Sequence, residues 1–222
     1  VTGRIRGKSS EFQILLGGHY DTHFWGFQDD CCAVGLVLAA AKAMLDIGFE
    51  PENDIVFCLH GAEEWGSSYT QFDWTVGAWE MINTLHPEWV GKTLAFLNFE
   101  LPAYEFATYT TTYSAPEMFS LLRDFTTRYP YAPKPQGCFP DGVLTEGYQT
   151  YTYSDDFSYY AAGVPSTVNG FLLQKDMEHV HPFYIDYYHT QYDTPDTYND
   201  AVMAFNLRYY GCLLYTSPSP RD

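Results

Sequence analysis

Six side chains in five short polar clusters carry the chemistry-bearing residue types of this chain. They are His19 in Gly17-Gly18-His19-Tyr20-Asp21, Asp29 beside Asp30, the adjacent pair Glu63-Glu64, Glu100 after Asn98-Phe99, and His189 after Tyr188. Imidazole nitrogen and carboxylate oxygen are donors that zinc accepts readily. Two metal ions about 3.5–4 Å apart need a ligand that reaches both, and a carboxylate has two oxygens with which to do so. Hydrolysis at such a centre also needs a base that takes a proton from the attacking water. A carboxylate next in sequence to a ligand can serve, if the backbone aims it at that water. Five ligands and one spare carboxylate are the inventory of a two-metal hydrolase.

These clusters must be positioned by the apolar runs beside them. Residues 12–18 (FQILLGG) read as a buried strand ending in glycines, 54–59 (DIVFCL) as a second, 93–99 (TLAFLNF) as a third and 164–171 as a fourth. Residues 31–46 read as a buried helix stopped by Gly48, 116–129 as a helix opened by Pro116, and a last helix begins near Asp200. A long amphipathic segment is expected from about Ser67 to Leu85. Residues 130–153, rich in Pro, Gly and Tyr, are expected to form an ordered loop. Strands apolar on both faces, alternating with helices, imply a sheet covered on both sides. Ligands bind at the carboxyl ends of strands in such folds, and His19, Glu63-Glu64 and Glu100 each follow a strand-like run.

The 222 residues suit one α/β domain, with 46% hydrophobic and 18% aromatic residues. A net charge of -17 argues against nucleic acid or anionic lipid as a partner. The sequence has no run of 18 apolar residues, so no membrane span is expected. Five cysteines without regular spacing are not a disulfide framework. Val1 falls inside a strand-like run, so the domain is expected to be truncated at its N-terminus. The catalytic unit is expected over residues 1–211. Residues 212–222 resemble translated sequencing-adapter DNA and are expected to be a non-native tail.

The ordered motifs GGHYDT, QDD, GAEEWGSS, LNFE, YSDDF, GVPS and YHTQYDT resemble those of the co-catalytic zinc peptidases. That family includes bacterial leucyl-type aminopeptidases and glutamate carboxypeptidase II, with the transferrin receptor as a non-enzymatic relative. The resemblance implies a three-layer α/β sandwich with a mixed, mostly parallel central sheet flanked by helices. It implies two Zn2+, with other divalent metals able to use the same ligands. His19 and Glu100 would bind the first metal, Glu64 and His189 the second, and Asp29 would bridge. Glu63 would be the general base, Asp21 would orient His19, and Tyr188 would steady the oxyanion. Asp30 would shape the backbone, often through a cis peptide in this family. Asp155 and Asp156 stand in a segment that lies near the substrate pocket, and they could equally cap a helix.

Two departures from the family pattern stand out. Glu100 occupies a position where many members carry Asp, and Cys32-Ala33 replace a usual Ser-Gly. Of the remaining histidines, His23 and His86 suggest no role, His60 reads as structural, and His179 and His181 as surface residues. An aminopeptidase acting on a peptide or small amide is the first functional reading. Arg would hold the terminal carboxylate of a carboxypeptidase substrate, and no Arg stands beside the motifs. A glutamate-carboxypeptidase-like enzyme, a glutaminyl-cyclase-like enzyme with one zinc and a non-catalytic receptor-type relative are the alternatives. The family suggests an extracellular or periplasmic setting, and the oligomeric state is not legible.

Overall fold

The computed structural model describes residues 1–70, 74–104, 107, 109–128, 142–147, 153–170 and 185–216, with backbone only at 109, 142–147 and 216. Seven strands form one sheet: β1 (Thr2–Ile5), β2 (Ser9–His19), β3 (Asn53–His60), β4 (Thr93–Asn98), β5 (Tyr109–Ser114), β6 (Gly142–Gly147) and β7 (Ser166–Asn169). Among the described residues five α-helices accompany them: α1 (Cys32–Asp46), α2 (Val76–Glu80), α3 (Pro116–Arg128), α4 (Asp156–Ala161) and α5 (Asp200–Thr216).

The strand order is β1-β3-β2-β4-β7-β5-β6. Strand β2 runs parallel to both β3 and β4, β4 runs parallel to β7, and β5 runs parallel to β6. The β1–β3 and β5–β7 pairs are antiparallel. After β2 the chain crosses to β3 on one side and later to β4 on the other. The carboxyl end of β2 is therefore a topological switch point, where a crevice opens between diverging connections. His19 is the last residue of β2 and pairs with His60, the last of β3.

Alternate residues of the central strands feed two cores. Leu16, Ile55, Phe57 and Leu97 pack with α1, α3 and α5 on one face. Leu15, Val56, Cys58 and Phe96 pack with α2, α4 and Trp89 on the other. The result is the expected three-layer sandwich. Each fully buried Leu or Phe contributes about 1.5–3 kcal/mol, so residues on both sheet faces hold the strand ends in register.

Two expectations are corrected. Among the described residues, the amphipathic segment expected from about Ser67 to Leu85 is not one continuous element. Thr75 has a left-handed backbone (φ 67°), and α2 starts only at Val76, continuing as a wider turn over Met81–Leu85. Here the backbone docks on the Glu63 loop: the N–H groups of Thr75 and Gly77 donate to the carbonyls of Glu63 and Ala62. The second correction lies in 130–153, where Gly142–Gly147 is an edge strand rather than loop. The flanking Pro and Gly residues hide its Val143-Leu144-Thr145 signal. Residues 129–141 and 148–152, with Cys138, lie outside the described residues, as do His179, His181 and 217–222. Helix α5 runs through Cys212 without a break, and Leu213 and Leu214 are buried in the first core. Among the described residues no helix is long and apolar enough to cross a membrane.

Candidate metal centre

His19 is fixed from below. A carbonyl can only accept, so Nδ1, 2.9 Å from the Asp21 carbonyl, carries a proton and donates it. That leaves Nε2 facing the cluster. Asp29 Oδ1 lies 3.2 Å from it, Glu100 Oε1 3.3 Å, and Asp30 Oδ2 and Glu63 Oε2 3.8 Å each. Burial would depress the imidazole's proton affinity, but Glu100 and Asp30 outweigh it and hold the pKa well above the ordinary value.

The second imidazole approaches from the other side. His189 Nε2 lies 3.0 Å from Asp29 Oδ2 and 3.1 Å from Glu64 Oε2. Its backbone is left-handed (φ 57°), an uncommon conformation for a residue with a side chain and one that clusters at functional sites. Burial would lower its pKa, yet Asp29 and Glu64 raise it to about 9. The two oxygens of Asp29 thus face two different imidazoles. Burial raises the pKa of Asp29, and His189 and His19 together reverse that and lower it to about 2.

The residues present fit a pair of cations. Glu63 Oε1, both oxygens of Glu64 and His189 Nε2 are buried and make no hydrogen bond. His189 Nε2 is nevertheless within 3.1 Å of two carboxylates, so these atoms converge without hydrogen-bond alignment. Ligands converging on a common metal ion have this arrangement. Buried polar atoms otherwise find partners, because leaving one unpaired costs about 1–3 kcal/mol.

Strand ends and turns set these positions. Gly18 lets β2 pass close to α1: a Cβ there would meet Ala33 Cβ at 2.8 Å and the Phe99 carbonyl at 3.2 Å. Ala33 therefore takes up the space that Gly18 leaves, which accommodates one departure from the family pattern. The Asp29-Asp30 peptide is cis. Asp30 does a structural job: its Oδ2 accepts the N–H of His19 and its Oδ1 that of Leu101. Burial and the neighbouring Glu100 push its pKa up.

Glu100, the other departure, sits on a braced strand end. Asn169 of β7 accepts its N–H at 2.8 Å and donates to its carbonyl at 2.7 Å. Ser154 donates to Glu100 Oε2 at 2.6 Å, leaving Oε1 toward His19. Burial raises the Glu100 pKa to about 7 against the opposing pull of His19. Glu63 is likewise raised by burial, with His19 opposing and Glu100 and Asp155 adding to the rise.

Tyr188 stacks on His189 with ring centroids 3.7 Å apart. Burial and the carboxylates of Asp29 and Glu100 push its phenol pKa upward, so the hydroxyl keeps its proton. Asp155 stands at the N-cap position of α4, fully buried, and its carboxylate lies 2.8 Å from His60 Nδ1. It makes no side-chain cap for α4, and Asp156 in the first turn is buried as well.

Sequence reasoning missed Asp193, Ser154, Asn169 and His23. Asp193 accepts the N–H groups of Gln28 and Asp29 at 2.9 and 3.1 Å and so holds the turn that carries Asp29. Its signal was present in YHTQYDT, four residues after His189. His23 Nε2 lies 3.3 Å from Glu64 Oε2.

The sequence profile of peptidase family M28 matches residues 1–208. BSAP, a zinc aminopeptidase from Bacillus subtilis, has the same fold with TM-score 0.72 at 15% identity, over 97% of this chain and 49% of that one. The LapA aminopeptidase of Legionella pneumophila gives TM-score 0.74 at 17% identity, over 100% of this chain and 55% of that one. A glutaminyl cyclase from Porphyromonas gingivalis gives 0.68 at 19% identity, over 98% and 76%. The chain spans about half the length of the two aminopeptidases. No curated protein sequence matches it.

Proposed function

Since the chain belongs to peptidase family M28, we propose that it is a two-zinc exopeptidase that removes N-terminal residues from peptides or small amides. The observation that carries this reading is the placement of Asp29 between His19 and His189, one oxygen toward each. His19 and Glu100 would hold one zinc, His189 and Glu64 the other, and Asp29 both. When bound, the metals supply Lewis-acid polarisation of a carbonyl and a more acidic water.

The chain's own residues do the rest. Glu63, buried beside His19, takes a proton from the attacking water and returns it to the leaving amine. Burial raises its proton affinity, and a stronger base accepts the proton of the water more readily. Tyr188 keeps its proton and donates to the developing oxyanion. Asp21 holds His19 through its carbonyl and the Glu63-Glu64 segment through its carboxylate.

Two zinc ions would offset most of the charge of Asp29, Asp30, Glu63, Glu64 and Glu100, so the preference for an N-terminal substrate rests on the lack of an Arg beside the motifs to hold a terminal carboxylate. Arg4 is engaged with Asp54 at the start of β3, the end away from Glu63. The test is release of nitroaniline from an aminoacyl-4-nitroanilide. Activity lost to a chelator, restored by zinc and absent on the N-acetylated substrate supports the proposal. Equal hydrolysis of both substrates rejects the aminopeptidase reading.

A further inference from the structure

His23 belongs to none of the motif positions, yet the structure folds it back onto the second half of the centre. It stands in the short connection between β2 and the Asp29 turn. Two left-handed residues bend that connection, Phe24 (φ 56°) and Gly26 (φ 44°). The bend brings His23 Nε2 to 3.3 Å from Glu64 Oε2. The His23 and His189 rings lie 4.3 Å apart, tilted by 43°. His23, Glu64 and His189 each offer a ligand atom, and the three atoms lie within 4.8 Å of one another. Both Glu64 oxygens and His189 Nε2 are buried without a hydrogen bond, so the other two members of the trio already lack protein partners.

We propose that His23 is a third imidazole of the metal centre, a ligand of the second zinc alongside Glu64, His189 and the shared Asp29. The inference rests on the two-zinc reading above and goes beyond its ligand set. Its side chain is 45% exposed, so it closes the solvent side of that site, whereas His19 at the other site is buried.

The consequence is an unequal pair. The second zinc would have two imidazoles, Glu64 and one Asp29 oxygen. The first would have one imidazole, Glu100 and the other Asp29 oxygen. Zinc takes four ligands readily and five in strained or reacting states. The second site therefore fills first and holds its ion more tightly. The first site, with His19, Glu100 and the other Asp29 oxygen as its donors, would be the one to supply Lewis-acid polarisation of the carbonyl. Without His23 the two donor sets become alike: one imidazole, one Glu and half of Asp29 each.

The test is stepwise metal binding to the chelator-stripped chain, read by competition with a chromophoric chelator and by the visible spectrum of the Co2+ form. Wild type is expected to bind two ions in resolved steps. His23→Ala is expected to weaken the tighter step at least ~10-fold, the scale on which even residues behind the ligands act. It should also change the Co2+ spectrum at the first equivalent. In a His189→Ala background, where His23 would be the second site's one remaining imidazole, the same substitution should remove the second ion and leave the first ion's affinity unchanged. Circular dichroism checks the fold, which an exposed side chain should not disturb. Two steps with wild-type affinities and spectrum in His23→Ala would overturn the inference and leave the two-zinc reading intact. A wild-type chain that binds no second ion would overturn both.

Discussion

The carboxylate of Asp21 accepts the backbone N–H of Glu63 at 3.1 Å through one oxygen, and that of Glu64 at 3.2 Å through the other. Asp21 follows β2 and the Glu pair follows β3, so this contact ties together the two strand ends that carry His19 and the base. Its carbonyl holds His19 as well. Burial would raise the Asp21 pKa, but the nearby His19 imidazole and the hydrogen bond from the Glu63 backbone lower it below the ordinary value.

Asp21→Ala frees both backbone amides and lets the Glu63-Glu64 segment shift. Residues behind metal ligands act on affinity or activity by about 10–100-fold. We expect kcat/KM on the nitroanilide to fall by that order, with the circular dichroism spectrum unchanged. Wild-type kcat/KM would show that Asp21 does not set the position of Glu63.

Glu63→Gln removes the proton acceptor and keeps the shape. The expected outcome is zinc content equal to wild type and kcat lower by about 10²–10⁴, the usual scale for a lost general base. A near-wild-type kcat removes Glu63 from that role.

Gly18→Ala forces a Cβ to 2.8 Å from that of Ala33, against a backbone carbonyl on the other side. Overpacking of this kind costs about 1–3 kcal/mol. Ala33→Gly should relieve part of it, so the double variant is expected to unfold at a higher denaturant concentration than the two separate losses predict. Strict additivity would mean that the two residues do not press on each other.

His60 gives a pH test away from the centre. It is fully buried against Asp155, Cys58 and Tyr159. Burial would lower its pKa, but Asp155 and Cys58 raise it to about 10. The folded value exceeds the unfolded value of about 6.5, so this pair's contribution is full below pH ~6.5. It is lost as pH rises through about 10. In chelated protein, Tm should fall from pH 7 to 10 more steeply for wild type than for His60→Asn. Parallel curves would show that the pair does not stabilise the fold through charge.

The sheet was legible where strands are apolar on both faces, as in FQILLGG and TLAFLNF, because burial there writes itself into composition. Strand β5 was not, because its Tyr-Thr-Thr-Thr-Tyr-Ser run reads as polar although Thr110, Thr111 and Thr112 are buried. At the centre, the motifs marked the six residues that the fold brings together. The residues that brace them were less visible. Asp193 stood within YHTQYDT without a role that its residue type announced, and Asn169, which acts on backbone groups, left no spacing pattern. His60 and Asp155 are 95 positions apart, and only the α4–β3 packing makes them a pair.

The central claim is that Asp29 is shared by two metal ions. Elemental analysis of the purified, zinc-loaded and dialysed chain tests it most directly. The account predicts two zinc per chain, falling to one in the double variant His23→Ala/His189→Ala, which removes both imidazoles of the second site. One zinc per wild-type chain, or two retained by the double variant, would contradict it.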